Sequence, residues 1–381
     1  MFWFWFVVAP ALLLTLASVA VERGRAAYIR EQLAAPPPKE LPPATVIVSV
    51  KGFDEGLREN LAALASLDYP DYELVIAARS AADIPAGVLP GRAKVVLARG
   101  MDPRTSEKIQ NLVAAIHAAR KNSQILAFAD SDGRATRGWL RALAAPLANE
   151  SVGAATGFRW YLAGPNAGSI LRAVWDAVSG GMLGAGNCPF AWGGSMAVRK
   201  QVFEEARILE YWKGAVSDDY ALTEAVHRAG LTIAYAPGAL VPASEPISFR
   251  GFLAWSRRQL TITRFCAPRL WQKGLLAHTI YCAAMLASLG LGLRGVALGW
   301  WTLAAQLLPG IWKGYRRAAL ARLSLPEHSW WFRRYGWLHA ACVPIATWLW
   351  LLVLVCSAFG STIEWRGYRY DFKNPVPAER V

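Results

Sequence analysis

The sequence Gln124-Ile125-Leu126-Ala127-Phe128-Ala129-Asp130-Ser131-Asp132-Gly133 runs five apolar residues into two carboxylates one residue apart. A short apolar run of this kind reads as a strand buried on both faces of a parallel sheet. The glycine that follows allows a sharp turn. In open α/β sheets, ligands bind in the crevice beyond the carboxyl ends of the strands. Carboxylates at i and i+2 leave such an end on the same side, so Asp130 and Asp132 can share one hard cation of the sort a diphosphate requires. Alone, the pattern fits equally a polar turn closing an ordinary strand, and the rest of the chain has to decide.

Outward from this stretch, strand and helix patterns alternate. Strands are expected at 45–50, 72–77, 94–98, 124–129 and 153–160, and helices at 57–67, at 106–119 and from Arg137 onward. Such alternation defines a doubly wound α/β nucleotide-binding domain over 44–245. Neither a GxGxxG fingerprint nor a Walker sequence is present, so dinucleotide and ATP sites of those kinds are not indicated.

The 381 residues are 54% hydrophobic, include 18 Trp and carry a formal net charge of +14. These values suit a membrane protein with a basic cytoplasmic side. Nucleic acid explains the charge less well, because the basic residues stand beside apolar runs and not in one aromatic-lined groove. The five Cys show no paired metal spacing and read as buried thiols. Residues 1–21 hold an uncharged run of about 20 residues, the length of a spanning helix, with no basic segment ahead of it and no clear cleavage site behind. A basic, Pro-rich linker at 22–43 follows. Beyond the α/β domain, 246–273 mixes Trp255 and Trp271 with Arg257, Arg258, Arg264, Arg269 and Lys273 and suits an interfacial helix. The membrane region at 274–359 holds about three apolar segments around a basic loop at 313–334, and 360–381 is a polar tail. One span before the domain and three after it would put the tail on the opposite side. Arg366, Arg369 and Lys373 in the tail argue for the same side, which would make one apolar stretch re-entrant or interfacial.

Three further constellations join the Asp pair. Asp54, in Lys51-Gly52-Phe53-Asp54, follows the first strand, where it could accept hydrogen bonds from a base or ribose or merely cap the next helix. Asp218 and Asp219 open a helix that Ser217 caps and Gly230 ends; the helix dipole favours carboxylates there, and one of them could serve as a general base. Trp192-Gly193-Gly194-Ser195 is either a turn entering a strand or a loop that lets backbone approach a sugar closely.

In this order the motifs resemble ceramide glucosyltransferase-like enzymes, members of glycosyltransferase family 21 in the family 2 clan, with hopanoid-associated bacterial transferases as relatives. The residues that carry the likeness are Lys51–Asp54, Asn60-Leu61, Leu67–Glu73, Ser106–Leu112, Asp130-Ser131-Asp132, Gly193–Lys200 and Asp218-Asp219-Tyr220, with Ile363–Tyr370 as a C-terminal signature. The resemblance implies a GT-A-like domain with N- and C-terminal transmembrane helices, in an integral membrane protein of bacterial inner-membrane type whose catalytic domain is cytoplasmic. It implies inverting transfer of one sugar from a nucleotide-sugar, a UDP-sugar by preference, to a membrane lipid hydroxyl. Asp54 and Lys108 match donor-binding positions, Asp130 and Asp132 the Mg²⁺ or Mn²⁺ and diphosphate site, and Asp219, with Asp218 beside it, the catalytic base. The sequence departs from the family at its (Gln/Arg)-x-x-Arg-Trp motif. Arg258-Gln259-Leu260-Thr261-Ile262 keeps only the leading arginine, leaving Arg258 and Arg264 as candidates for the diphosphate. A processive polysaccharide synthase and a polyprenyl-phosphate glycosyltransferase are the alternatives.

Overall fold

The computed structural model describes residues 2–36, 38, 40–99, 102, 104–162, 164, 166–373 and 379–380. The apolar N-terminal run forms α1, Phe2–Ala34, which does not stop at Val21 but continues through the basic half of the expected linker. The central segment then alternates: β1 (Ala44–Ser49), α2 (Leu57–Leu64), β2 (Tyr72–Ala78), β3 (Ala93–Leu97), α3 (Glu107–Ala118) and β4 (Ile125–Asp130). Next come α4 (Trp139–Ala144), β5 (Val152–Tyr161), α5 (Ala167–Gly180), β6 (Ser195–Arg199), α6 (Lys200–Glu205), α7 (Ile208–Trp212), α8 (Asp218–Arg228) and β7 (Thr232–Ala243). Helices α9 (Phe249–Cys266), α10 (Pro268–Leu293), α11 (Ala297–Ser324), α12 (Ser329–Tyr335), α13 (Leu338–Ala341) and α14 (Val343–Ser357) follow. The described chain ends in β8 (Thr362–Trp365), β9 (Tyr368–Asp371) and β10 (Glu379–Arg380).

The chain divides into two compact units. One gathers Met1–Ile29, Leu162–Gly181 and Pro246–Gly360; the other gathers Arg30–Tyr161, Met182–Glu245 and Ser361–Val381.

The second of these is the α/β unit. Its seven strands lie in the order β3-β2-β1-β4-β6-β5-β7, all pairs parallel except the two made by β6. The fold is therefore the expected α/β, GT-A-like one, with an antiparallel strand that the sequence reading did not anticipate. Five of the six residues of β4 are buried, as its uninterrupted apolar composition requires of a central strand. On one face Leu57, Leu61 and Leu64 of α2, at helical spacing, pack with Trp139, Leu140 and Leu143 of α4 against alternate strand residues such as Val46, Val48, Ala127 and Ala129. Trp139 Nε1 donates to Ser195 Oγ at 2.8 Å, and Ser195 Oγ donates to the Ala239 carbonyl at 2.9 Å, so this core leaves neither polar group unmet. The expected turn follows β4 at 131–133 without a left-handed Gly133; a Cβ there would lie 2.5 Å from Val241 Cγ1, so close packing is what requires the glycine.

The other unit is helical. Helices α1 and α10 are long and apolar enough to cross a membrane, by length and composition, and Val343–Ser357 is a shorter apolar helix. The expected interfacial helix is interrupted at Ala267, and α10 begins at Pro268. Trp175 of α5 stacks on Trp350 of α14 with centroids 4.0 Å apart and meets Trp255 of α9 edge-on at 5.5 Å. The five cysteines are free, with Cys188 and Cys282 buried and Cys356 exposed, which corrects the reading of all five as buried.

Candidate active site

The strand order reverses between β1 and β4: from β1 the chain winds outward through β2 and β3, then returns to place β4 on the other side. This is the switch point where an α/β sheet opens a ligand crevice. Register pairs Ser49 with Asp130, so the loop after β1 and the Asp130-Ser131-Asp132 turn emerge side by side. The first loop folds back through Gly52 and Gly56, both left-handed, which only glycine adopts without strain. It leaves Asp54 6% exposed, with Ser131 Oγ donating to its Oδ2 at 2.5 Å. Asn60 Nδ2 donates to the Ser131 carbonyl at 3.0 Å and fixes the turn from the other side.

Lys108 enters from the first turn of α3, whose start is set by Ser106, a cap that accepts from Ile109 N. Its Nζ lies 2.8 Å from Asp130 Oδ1 and 3.1 Å from Asp218 Oδ2. Burial alone would lower the pKa of this ammonium, but Asp130, Asp218 and Asp219 outweigh it and raise the value well above the usual lysine range. Ser217 caps α8, as the sequence predicted, and puts Asp218 and Asp219 in the first turn. Asp218 is 3% exposed, and burial, opposed by Lys108 and reinforced by Asp219 and Asp130, pushes its carboxyl up to about 6. Asp219 is partly exposed. Its Oδ2 accepts from Gly193 N at 3.2 Å, and its Oδ1 accepts from Tyr220 N at 2.8 Å and from Ser217 Oγ.

The Gly193-Gly194 pair carries the backbone through this cluster. A Cβ on Gly193 would sit 2.6 Å from Asp218 Oδ2, and one on Gly194 would sit 2.3 Å from the Trp192 ring and 2.6 Å from Asp130 Oδ2. The close approach is thus to the site's own carboxylates. Gly194→Ala is expected to destabilise the α/β unit by about 1–3 kcal/mol through overpacking. Thermal unfolding of the purified variant measures this, and an unchanged Tm would mean that Trp192 simply moves aside.

Two cations in the cluster escaped the sequence reading. Arg159 of β5 places Nη1 3.1 Å from Asp132 Oδ2, with its guanidinium 4.7 Å from the Tyr161 ring centroid and 5.1 Å from that of Trp192. Its signal was an arginine inside an otherwise apolar strand, which a sheet tolerates only with a partner. Arg366 stands at the tip of the β8–β9 hairpin, its Nη2 2.7 Å from Asp54 Oδ1. The hairpin lies on the α/β unit through Lys51, which packs 3.9 Å over the Tyr368 ring and pairs with Glu107 at 2.9 Å. Tyr370 Oη also accepts from Glu107 N at 3.5 Å.

Arg258 and Arg264, expected at the diphosphate, belong to α9 in the helical unit. Arg264 Nη1 donates to the Ser357 and Gly360 carbonyls at 2.7 and 3.0 Å, tying α9 to the end of α14. That is a helix-end cap, which satisfies carbonyls a helix terminus leaves open.

The turn suits a hard divalent cation. Asp132 Oδ1 is buried without a hydrogen-bond partner. Burial raises the Asp132 carboxyl, Arg159 opposes this, and Asp130, Asp54 and Glu245 push it further up, which marks an excess of negative charge. Asp130 is instead held below the ordinary carboxylate range: burial works against its charge, but Lys108 and Arg159 prevail. No group of three or more His, Cys, Asp or Glu suited to a metal occurs among the described residues. A cation here would therefore rest on one or two carboxylates and take its remaining ligands from phosphate and water, the usual arrangement for Mg²⁺.

A switch-point crevice lined by clustered carboxylates and cations is the ligand site of an α/β enzyme. The chain belongs to glycosyl transferase family 21, whose profile it matches over residues 4–375, and it is accordingly a nucleotide-sugar glycosyltransferase. The resemblance read from its motifs is thereby borne out. A search of curated proteins finds no match. Among solved structures it is similar to a mannosyltransferase from Pyrobaculum calidifontis in complex with GDP-mannose and Mn²⁺, with 18% identity, 91% of this chain and 99% of that one covered, and a TM-score of 0.41. It is also similar to glucosyl-3-phosphoglycerate synthase from Mycobacterium tuberculosis in complex with Mn²⁺, UDP and glucosyl-3-phosphoglycerate, with 15% identity, 64% and 84% covered, and a TM-score of 0.38.

Proposed function

We propose that this glycosyltransferase moves a single sugar from a UDP-sugar to a hydroxyl group of a membrane lipid, such as a ceramide, a diacylglycerol or a hopanoid-type lipid, with inversion at the anomeric carbon. The observation that carries the reading is the switch-point cluster, in which Asp54 and Asp130-Ser131-Asp132 face Lys108 and the first turn of α8. Asp54 holds the nucleoside, and Lys108 stands at the sugar and diphosphate. Asp219 removes the acceptor proton, for which partial exposure suits it better than the buried Asp218. Asp218 keeps Lys108 in place. A divalent cation bound through Asp132 and Asp130 would neutralise charge on the leaving nucleoside diphosphate.

A lipid acceptor is supported by the family and by two helices of spanning length and apolarity, α1 and α10. The tail strands β8 and β9 fold onto the α/β unit, which supports a membrane region whose two ends share the cytoplasmic side. This reading follows the tail's arginines, with one apolar stretch not crossing.

The test incubates the full-length protein in lipid with a panel of radiolabelled UDP-sugars and separates organic-soluble from polymeric product. Label in a monoglycosylated lipid is expected, with turnover lost on chelation and restored by Mg²⁺ or Mn²⁺. Label in a high-molecular-weight polymer would assign a polysaccharide synthase instead, and label in an acid-labile lipid would assign a polyprenyl-phosphate acceptor. Turnover unaffected by chelation would remove the metal from Asp130 and Asp132.

A further inference from the structure

We infer that Arg366 is a donor-binding residue: from the tip of the C-terminal hairpin its guanidinium takes the diphosphate of the nucleotide-sugar. The inference rests on the donor site proposed above and adds to it a residue far from that site in sequence.

Position comes first. Arg366 Nη2 meets Asp54 Oδ1 at 2.7 Å, and the same guanidinium is close enough to feel the charges of Asp132 and Asp130. Asp54 is in turn bonded to Ser131, the residue between Asp130 and Asp132, so Arg366 stands beside the carboxylate turn that lines the crevice. One Asp54 oxygen uses a single edge of a planar fork that carries five N–H donors, and 40% of the side chain remains exposed. Arginine's fork matches a phosphate through two parallel hydrogen bonds, which a lysine cannot reproduce.

The backbone points the same way. Trp365 pairs with Tyr368 across a two-residue turn, with φ of 51° at Arg366 and 78° at Gly367. Such a turn demands left-handed backbone at both central positions and favours Asn, Asp or Gly at the first. An arginine held there is strained, and strain of this kind persists where the side chain has a task. Other cations are already engaged: Lys108 with Asp130 and Asp218, Arg159 with Asp132, and Arg264 with two main-chain carbonyls of the helical unit. Lys51 over Tyr368 and Tyr370 against Glu107 N hold β9, and β8 pairs with it, so the guanidinium is presented from a fixed support.

The experiment compares UDP and uridine binding, in the presence of Mn²⁺, to the full-length protein and to Arg366→Asn, a substitution that removes the charge but suits the turn. UDP affinity is expected to fall about tenfold or more while uridine affinity holds. Arg366→Lys keeps the charge without the fork and is expected to lose less; it also supplies the measurement if the Asn variant does not fold. Equal weakening of UDP and uridine, or no weakening of either, would overturn the inference, because Arg366 would then serve only to position Asp54 or serve nothing. If the unaltered protein binds neither UDP nor GDP, the donor site itself fails, a result distinguishable because it is read on the unaltered protein.

Discussion

Asp219→Asn should abolish sugar transfer, with kcat reduced about 10²–10⁴-fold as expected for loss of a general base, while UDP still binds as it does to the unaltered protein. The amide is nearly isosteric with the carboxylate and can still accept from Tyr220 N and Ser217 Oγ, so the first turn of α8 should persist. What disappears is the oxygen that takes the acceptor proton. Asp218→Asn supplies the contrast, since Asp218 is buried against Lys108 and its removal should disturb the donor side. Single-turnover transfer together with UDP titration separates the two. A severe kcat loss in Asp218→Asn with a mild one in Asp219→Asn would move the base to Asp218.

Lys108→Met is expected to be the most damaging substitution for stability. It strips the cation from Asp130 and Asp218 together, and breaking a buried ion pair from one side costs about 3–5 kcal/mol. For a unit of this size that lowers Tm by on the order of 10 °C. The loss should depend on pH in a definite direction. Asp218 already titrates near 6 in the folded protein, above the ordinary carboxylate range, so its charge weakens the fold as pH rises through that value, and its protonation relieves the fold as pH falls. Without Lys108 to oppose burial, the penalty grows at pH 8 and shrinks toward pH 5. Lys108→Met combined with Asp218→Asn should recover part of the Tm at pH 8. A deficit equal at both pH values and unrelieved in the double variant would mean that the lysine's apolar stem, and not its charge, holds the site together.

Much of the α/β unit was legible because its signals are local. The apolar run before Asp130, the caps at Ser106 and Ser217 and the glycine at 230 each set an element boundary within a residue or two of its observed place. The antiparallel direction of β6 was not legible: a turn entering a strand was one of the two readings of Trp192–Ser195, but nothing local states a strand's direction. Strand β7 was hidden by Pro237 and Gly238 in its middle, where the pairing with β5 shifts register between Thr156 and Phe158. The carboxylates and Lys108 were visible in motifs, but Arg159 and Arg366 were not, because they reach the carboxylates only through the tertiary fold. Arg264, whose basic neighbourhood on α9 resembles a phosphate clamp, donates to main-chain carbonyls that no local sequence signal announces.

The bond between Arg366 and Asp54 joins one of the first loops of the chain to nearly its last turn. On the ribosome, the α/β sheet can assemble as soon as β7 has emerged, yet Asp54 has no cation until the whole helical region has been made and the hairpin released. A nascent chain stalled before residue 366 would carry a folded sheet whose Asp54 still lacks that partner. Completion of the crevice thus waits until all of α9 to α14 has been synthesised.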